Sequence, residues 1–448
     1  MTQRAFPPFV VNFAMTSSTG IQSRRAALSI LGQVREGRPF EAALARVADE
    51  LPEADRRLAH ELAAGVLRQR SMLDQQLAPL VPRGWDNVAV ELQDILRLGA
   101  YQLTALERVP DHAAVDTSVA LAKHSSGARA AGFVNAVLRR LARSGPGEHA
   151  APSGVAPRLA TAYSHPLWLV ERWVLAYGVE QTRALLQWNN TRPRLVAQAA
   201  RKELAALQAQ WRAAGIELEP APYGAGLILG RATAVELPGY REGHFIIQDP
   251  AQALLARFAD PPANATIYDA CAAPGGKTIG LGRRTARIVA GEINPLRARR
   301  LAENLARAGS GREHVVVADA RKPPVRQVDL VLLDAPCMGT GTFARHPDAR
   351  WRVNQGALRR IQQLQAELLD STAGVVAPGG LLVYSTCSLE REENQAQVDE
   401  FLKRHPNFQR ETVTVVPDSL LSPEGDLIIL PQVHGMDGAY AARLRRSA

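Results

Sequence analysis

Apolar positions recur three and four residues apart through the first third of the chain, as in RRAALSILGQV, DRRLAHELAAGVLRQRSMLDQQLAPL and ELQDILRLGAYQLTAL. That spacing lines one face of a helix with apolar side chains. No strand-like run interrupts it, so residues 23–145 are expected to form an all-α domain of several amphipathic helices. SGPGEHAAPSGVAP then breaks the periodicity with Gly, Pro and Ser, as a linker over residues 146–157 would. Residues 158–242 change character over short distances. LWLVERWVLAYG and QTRALLQWN read as helices, RLVAQAA as a strand, ELAALQAQWRAAG as a helix, and IELEPAP and GLILG as strands, which predicts a small α+β unit. Over residues 243–448 the rhythm changes again. TIYDACA, RIVAGEI, HVVVADA, VDLVLLDAP and GGLLVYSTC are short apolar runs rich in β-branched residues, mostly separated by helical stretches such as PLRARRLAENLARAG. Such alternation predicts a parallel sheet covered on both faces, a Rossmann-like α/β domain. Residues 1–22 fit none of these patterns and read as a disordered extension, with Met15 as an alternative start.

The totals narrow the class. At 448 residues the chain exceeds one typical core, and its 46% hydrophobic and 22% charged content is ordinary for soluble globular protein. It has no apolar run of about eighteen residues, so no membrane span or membrane partner is expected. FPPFVVNFAM is broken by prolines and is a poor signal peptide. Three cysteines without C-x-x-C spacing read as free thiols in a reducing cytoplasm, with no zinc or other metal site. A net charge of +9 suits a nucleic-acid partner, although ordinary solubility gives the same sign.

Candidate chemistry gathers at the predicted strand ends. DACAAPGGKT follows a strand and opens a helix, but a P-loop needs glycine where this chain has Cys271, and G-x-G-x-x-G is absent. What remains is a tight loop with Pro274, Gly275 and Gly276 that lets backbone approach a ligand closely. Glu292, one strand later, can accept hydrogen bonds from a ribose diol, and Asp319, at the next, from an adenine amino group. A glycine loop and two acids without a phosphate cradle point to S-adenosylmethionine (SAM) rather than a nucleotide. The fourth run ends in LLDAPCMGTG and the fifth in YSTCSLEREEN, placing Cys337 and Cys387 on neighbouring strand ends. Two thiols beside such a site fit covalent pyrimidine chemistry. A thiolate added to C6 makes C5 nucleophilic enough to take a methyl group, and Asp334 can supply a hydrogen bond or proton to the base edge. The bland reading, two buried small hydrophobes, fits polar-flanked loops poorly.

DACAAPGGKT, DAPCMGTG and YSTCSLEREEN closely resemble the signature loops of RNA cytosine-5 methyltransferases of the NOL/NOP/Sun class, and HFIIQDPAQAL resembles another of their motifs. LRLGAYQLTALERVPDHAAVDTSVALAK and GFVNAVLRRLAR resemble NusB, a helical RNA-binding factor. A NusB-like domain, a small α+β unit and a Rossmann-like SAM-dependent domain in one chain are similar to the bacterial enzymes that form 5-methylcytosine in 16S rRNA, an activity of the cytosine-967 type. The resemblance implies SAM as methyl donor, 16S rRNA as partner and a monomer in the cytoplasm. It implies a SAM loop of Cys271, Ala272, Ala273, Pro274, Gly275, Gly276 and Lys277, with Glu292, Asp319 and Asp334 as further cofactor contacts. Cys387, of the TC motif, is implied as nucleophile and Cys337, of the PC motif, in product release. Arg139, Arg140, Arg143, Arg345 and His346 are the expected RNA contacts, the last two on the basic loop RHPDARW. Two departures touch substrate contacts: DGAYAARL stands where the class has a DGFF-type segment, and RLVAQAA lacks an Arg-x-Asn. Glu292 stands where Asp is also common. A tRNA methyltransferase, a DNA-type enzyme with Cys337 as nucleophile, and a non-catalytic antitermination factor are the alternatives.

Overall fold

The computed structural model describes residues 20–48, 51–144, 152–230, 233–283 and 285–448. Most of the expected extension, residues 1–19, and most of the expected linker, residues 146–151, lie outside these. Residues 20–22 open the first helix. The chain forms two compact units, one running up to Asn190 and taking in His346–Arg352, the other made of Thr191–Arg345 and Val353–Ala448.

The first unit is helical, as its periodicity predicts: α1 (Gly20–Arg35), α2 (Phe40–Ala48), α3 (Glu53–Leu77), α4 (Val90–Ala105), α5 (Asp111–Ser144), α6 (Val155–Ala162) and α7 (Leu167–Asn189). Ile30, Leu62, Leu73, Ile95, Leu98, Val134 and Leu138 are fully buried in its core. α7 breaks at Gly178, where φ is 77°, between the two segments expected as separate helices. Arg97 stitches α4 to α3 by donating from Nε and Nη2 to the two Asp74 carboxylate oxygens at 2.6 and 2.9 Å. The segment His346–Arg352, far along the sequence, is built into this unit. Trp351 Nε1 donates to the Leu67 carbonyl at 2.8 Å, and Arg350 donates to Asn190 Oδ1 at 2.6 Å and the Asn189 carbonyl at 2.7 Å.

The second unit holds two sheets. The smaller runs β2-β3-β1-β4, all antiparallel, from β1 (Val196–Ala199), β2 (Leu218–Pro220), β3 (Leu227–Leu229) and β4 (Phe245–Ile247), with α8 (Leu204–Ala213) following β1. Trp211 of α8 meets Phe245 edge-on at 4.8 Å in its core. β4 lies past residue 242, so the small sheet reaches into sequence read as the start of the α/β domain. The larger sheet contains β5 (Thr266–Asp269), β6 (Arg287–Glu292), β7 (Glu313–Val317), β8 (Val328–Asp334), β9 (Val376–Thr386), β10 (Phe408–Arg410), β11 (Leu427–Ile429) and β12 (Ala439–Arg446). Its order is β10-β12-β9-β8-β5-β6-β7, with β11 also on β12.

The core strands are apolar on both faces. Ile267, Leu330, Leu332, Leu381 and Val383 join one layer, and Tyr268, Val331, Leu333, Leu382 and Tyr384 the other. Alternate side chains of a strand point to opposite faces, so continuous apolar runs are what a doubly covered sheet requires. The parallel expectation holds from β7 to β9 and fails beyond. β12 runs antiparallel to β9, pairing Tyr440 with Thr386 and Leu444 with Leu382. Its AYAARLRR is not among the apolar runs that the sequence marks as strands. The arginines are accommodated because Glu411 accepts from Arg443 Nη2 at 2.5 Å and Arg445 Nη2 at 2.7 Å.

Candidate active site

The strand order reverses at β5, with β6 and β7 on one side and β8 and β9 on the other. Ligands of open α/β sheets bind at the carboxyl ends of the strands flanking such a switch. The loop after β5 is DACAAPGGKT, and α10 (Gly276–Gly282) starts within it. Gly275 has φ 107°, and a Cβ there would lie 2.9 Å from Leu301 Cδ1, so only glycine allows this turn against α11 (Pro295–Ala308). The Ala272 N–H donates to the Gly291 carbonyl at 2.9 Å, and the carbonyls of Ala273 and Pro274 accept from Arg297 and Asn304 at 3.0 and 2.8 Å. Burial, then the nearby Asp334, push the Cys271 thiol far up, so Cys271 stays protonated and packs among apolar neighbours.

Lys277 Nζ donates to Asp334 Oδ2 at 2.7 Å, and Ser385 Oγ donates to Asp334 Oδ1 at 2.9 Å. Asp334 therefore ties the β5 loop to the end of β9. Burial works against the Lys277 ammonium, but Asp334 outweighs it and holds the pKa above the usual lysine range. Beneath them Asp269 accepts from Thr278 Oγ1 at 2.7 Å, and burial pushes its pKa to about 7. Glu292 ends β6, where it accepts from the Asn294 N–H at 2.9 Å. Asp319 lies past β7, its carboxylate held by Arg321 and kept below the usual range by that hydrogen bond. The motifs at the strand ends give no sign of the apolar side chains beside these acids. Ile293 and Val317 are 59% and 60% exposed, at the ends of paired strands.

β8 and β9 pair in parallel with Asp334 opposite Ser385, so the next turns bring the two cysteines together: Cys337 Sγ and Cys387 Sγ are 3.2 Å apart. The hydrogen bond with Cys387, then burial, push the Cys337 thiol well above its usual range. The Gly341 N–H donates to the Cys387 carbonyl at 2.9 Å. A Cβ on Gly341 would lie 2.8 Å from that oxygen and 2.7 Å from the Gly438 Cα, so this close approach requires glycine.

On the basic loop the Arg345 guanidinium donates to Asp249 Oδ2 at 2.6 Å and Asp437 Oδ2 at 2.7 Å. His346 is exposed, while Arg350 is fully buried. Arg139, Arg140 and Arg143 all stand exposed at the end of α5. Among the described residues no group of three or more His, Cys, Asp or Glu could hold a metal ion, and no helix is long and apolar enough to cross a membrane.

Three segments match known families: residues 21–143 the NusB family, residues 165–236 the ferredoxin-like domain of RsmF/B-like methyltransferases, and residues 256–445 the 16S rRNA methyltransferase RsmB/F family. A probable ribosomal RNA small subunit methyltransferase B of Synechocystis is 34% identical over 95% of this chain and 100% of its own length. The ribosomal RNA small subunit methyltransferase B of Vibrio cholerae is 35% identical over 94% of this chain and 97% of its own. Among solved structures, PH0851 superposes with a TM-score of 0.80 at 24% identity, covering 95% of this chain and 99% of its own, a likeness of fold. NSun6 from Pyrococcus horikoshii shares the fold over 62% of this chain and 97% of its own, with a TM-score of 0.56 at 19% identity. With relatives aligned along nearly their whole lengths, the chain belongs to the ribosomal RNA small subunit methyltransferase B family, methyltransferases that carry a NusB-family domain and a ferredoxin-like domain ahead of the catalytic one.

Proposed function

We propose that this methyltransferase forms 5-methylcytosine in 16S rRNA through a covalent adduct between Cys387 and C6 of the base. The observation that carries the reading is the thiol pair, 3.2 Å apart at the ends of two adjacent strands beside Asp334. Cys387 adds to C6 as the thiolate. Asp334, held by Lys277 and Ser385, faces the base edge and supplies a hydrogen bond as charge builds on the ring. Once C5 is methylated its proton passes to water, the electron pair left behind re-forms the C5–C6 double bond and expels Cys387 as the thiolate, and Cys337 assists that release. SAM supplies the methyl group when bound. Cys271 through Lys277, Glu292, Asp319 and Asp334 would hold it, and the exposed Ile293 and Val317 would offer apolar surface to its adenine. Both Asp319 oxygens already accept from Arg321, so contact with an adenine amino group would share them with that arginine. On this reading the chain acts as a cytoplasmic monomer on 16S rRNA. Bisulfite sequencing of a deletion strain tests it: one 16S cytosine, of the cytosine-967 type, loses protection. Loss in tRNA with 16S unchanged would overturn the substrate.

Glu292→Ala is expected to weaken SAM binding at least about tenfold, since charge-assisted hydrogen bonds are worth ~1.5–3 kcal/mol each. Calorimetry on folded protein checks it, and unchanged affinity removes Glu292 from the ribose.

The helical unit is expected to bind RNA through the exposed end of α5. Truncation at residue 150 is a poor test, because the compact unit runs on to Asn190 and takes in His346–Arg352. Replacing Arg139, Arg140 and Arg143 together by Ala leaves the fold intact and weakens rRNA binding. The salt dependence of log K should flatten by about 0.7–0.9 for each phosphate that is no longer neutralised. An unchanged slope would make these arginines a solvated helix face.

A further inference from the structure

Glu393 is a carboxylic acid with no exposed surface, and none of the catalytic steps proposed for the thiols uses it. It sits in a short turn after β9, inside YSTCSLEREEN. Its Oε1 accepts from the Met338 N–H at 2.9 Å and from Gln365 Nε2 at 3.0 Å, and its Oε2 accepts from Ser388 Oγ. Met338 follows Cys337, and Ser388 follows Cys387. One carboxyl group thus bridges the residues next to both thiols. Its supports are themselves fixed. Gln365 Nε2 also donates to the Pro336 carbonyl at 2.9 Å, and the Glu393 carbonyl accepts from Tyr384 Oη at 2.6 Å. The neighbouring Asn394 accepts from Thr386 Oγ1 at 2.6 Å and donates to the Ser388 carbonyl at 2.9 Å, which braces the Cys387 loop from the other side.

An acid is costly to bury, and burial pushes Glu393 up to about 7, while the Ser388, Met338 and Gln365 donors pull the other way and Glu390 adds repulsion. An apolar or amide side chain would fill this position at lower cost. A carboxyl group differs from both in accepting at two oxygens at once, one directed to each cysteine loop.

We propose that Glu393 is a positioning residue that sets the register of the Cys337 and Cys387 loops, so that the attacking thiol and the releasing thiol reach opposite stages of one adduct. This rests on the reading of Cys387 as nucleophile and Cys337 as the releasing thiol. In Glu393→Gln the shape is kept, but one oxygen remains to accept where two did, so the arm that meets the amide nitrogen loses its acceptor and Ser388 can stay bound only by reversing its hydroxyl. Ser388→Ala removes only the arm to the Cys387 side. Both variants should bind SAM and RNA normally. kcat should fall about 10–100-fold, the scale of a misplacement near 1 Å, with KM nearly unchanged. Both should also retain part of the RNA as a covalent complex on denaturing gels, because release suffers along with attack.

The deciding measurement does not depend on catalysis. Incubating full-length protein with glutathione disulfide converts the two thiols to a Cys337–Cys387 disulfide, as two protons and two electrons pass to glutathione. Peptide mapping gives the rate. Several-fold slower closure in folded Glu393→Gln and Ser388→Ala is the expected result. Wild-type closure rates in both, or activity lost only in proportion to the unfolded fraction, would overturn the positioning role and leave the thiol assignments standing. If Glu393→Gln does not fold, Ser388→Ala decides alone. Full activity of Cys387→Ala would instead remove the catalytic reading, and the closure rates would still decide whether Glu393 sets the register.

Discussion

Cys387→Ala is expected to abolish methylation, a loss of at least about 10⁴-fold for a removed nucleophile, and to form no adduct with RNA. Cys337→Ala is expected to attack and transfer methyl but to stall, leaving an RNA–protein complex that survives denaturing electrophoresis when SAM is present. The geometry supports this division. The two sulfurs are 3.2 Å apart, and the Cys387 hydrogen bond first and burial second push the Cys337 thiol up. Adduct trapped by Cys387→Ala instead would make Cys337 the nucleophile. Adduct in neither variant, with both active, would exclude covalent catalysis by these thiols. Reaching Cys387 also requires the cytosine to leave its stack, at a cost of a few kcal/mol. A loop cytosine should therefore react much faster than the same base in a stable duplex.

Asp334→Asn should produce the second large effect, and it should be separable into two parts. Asp334 binds Lys277 at 2.7 Å, and the lysine side chain is only 14% exposed. Removing one partner of a buried pair strands the other charge, which costs about 3 kcal/mol and lowers Tm. Loss of the base-edge contact should also cut kcat by about 10²–10⁴-fold. Combining Asp334→Asn with Lys277→Met removes the stranded charge, so Tm should recover while activity does not. Recovery of both would make Asp334 a structural partner of Lys277 with no role at the base.

Much of the fold is legible because its signals are local. Helical spacing marks α1 to α5, and continuous apolar runs mark β5, β6, β8 and β9, since a strand covered on both faces has no polar side to show. The chemistry-bearing loops are legible too, as short motifs at strand ends. The misses have a common cause. β12 and the Glu411 that receives its arginines are about thirty residues apart, so the charge of AYAARLRR is visible in sequence and its neutralisation is not. The pairing of Arg345 with Asp249 and Asp437, each more than ninety residues away, is likewise invisible in sequence. Glu393 looks like one of several surface acids in LEREEN until the cysteine loops close over it.

By itself, then, the sequence determined which elements form and which residue types stand at their ends, because helix period, strand alternation and glycine-dependent turns are properties of neighbouring residues. Tertiary structure decided which of those groups act on one another. Parallel pairing of β8 with β9 puts Cys337 against Cys387, and the switch at β5 puts Lys277 on Asp334. Hydrogen bonds and ion pairs depend on distances of about 3 Å, and between residues fifty or more positions apart only the folded chain sets such distances.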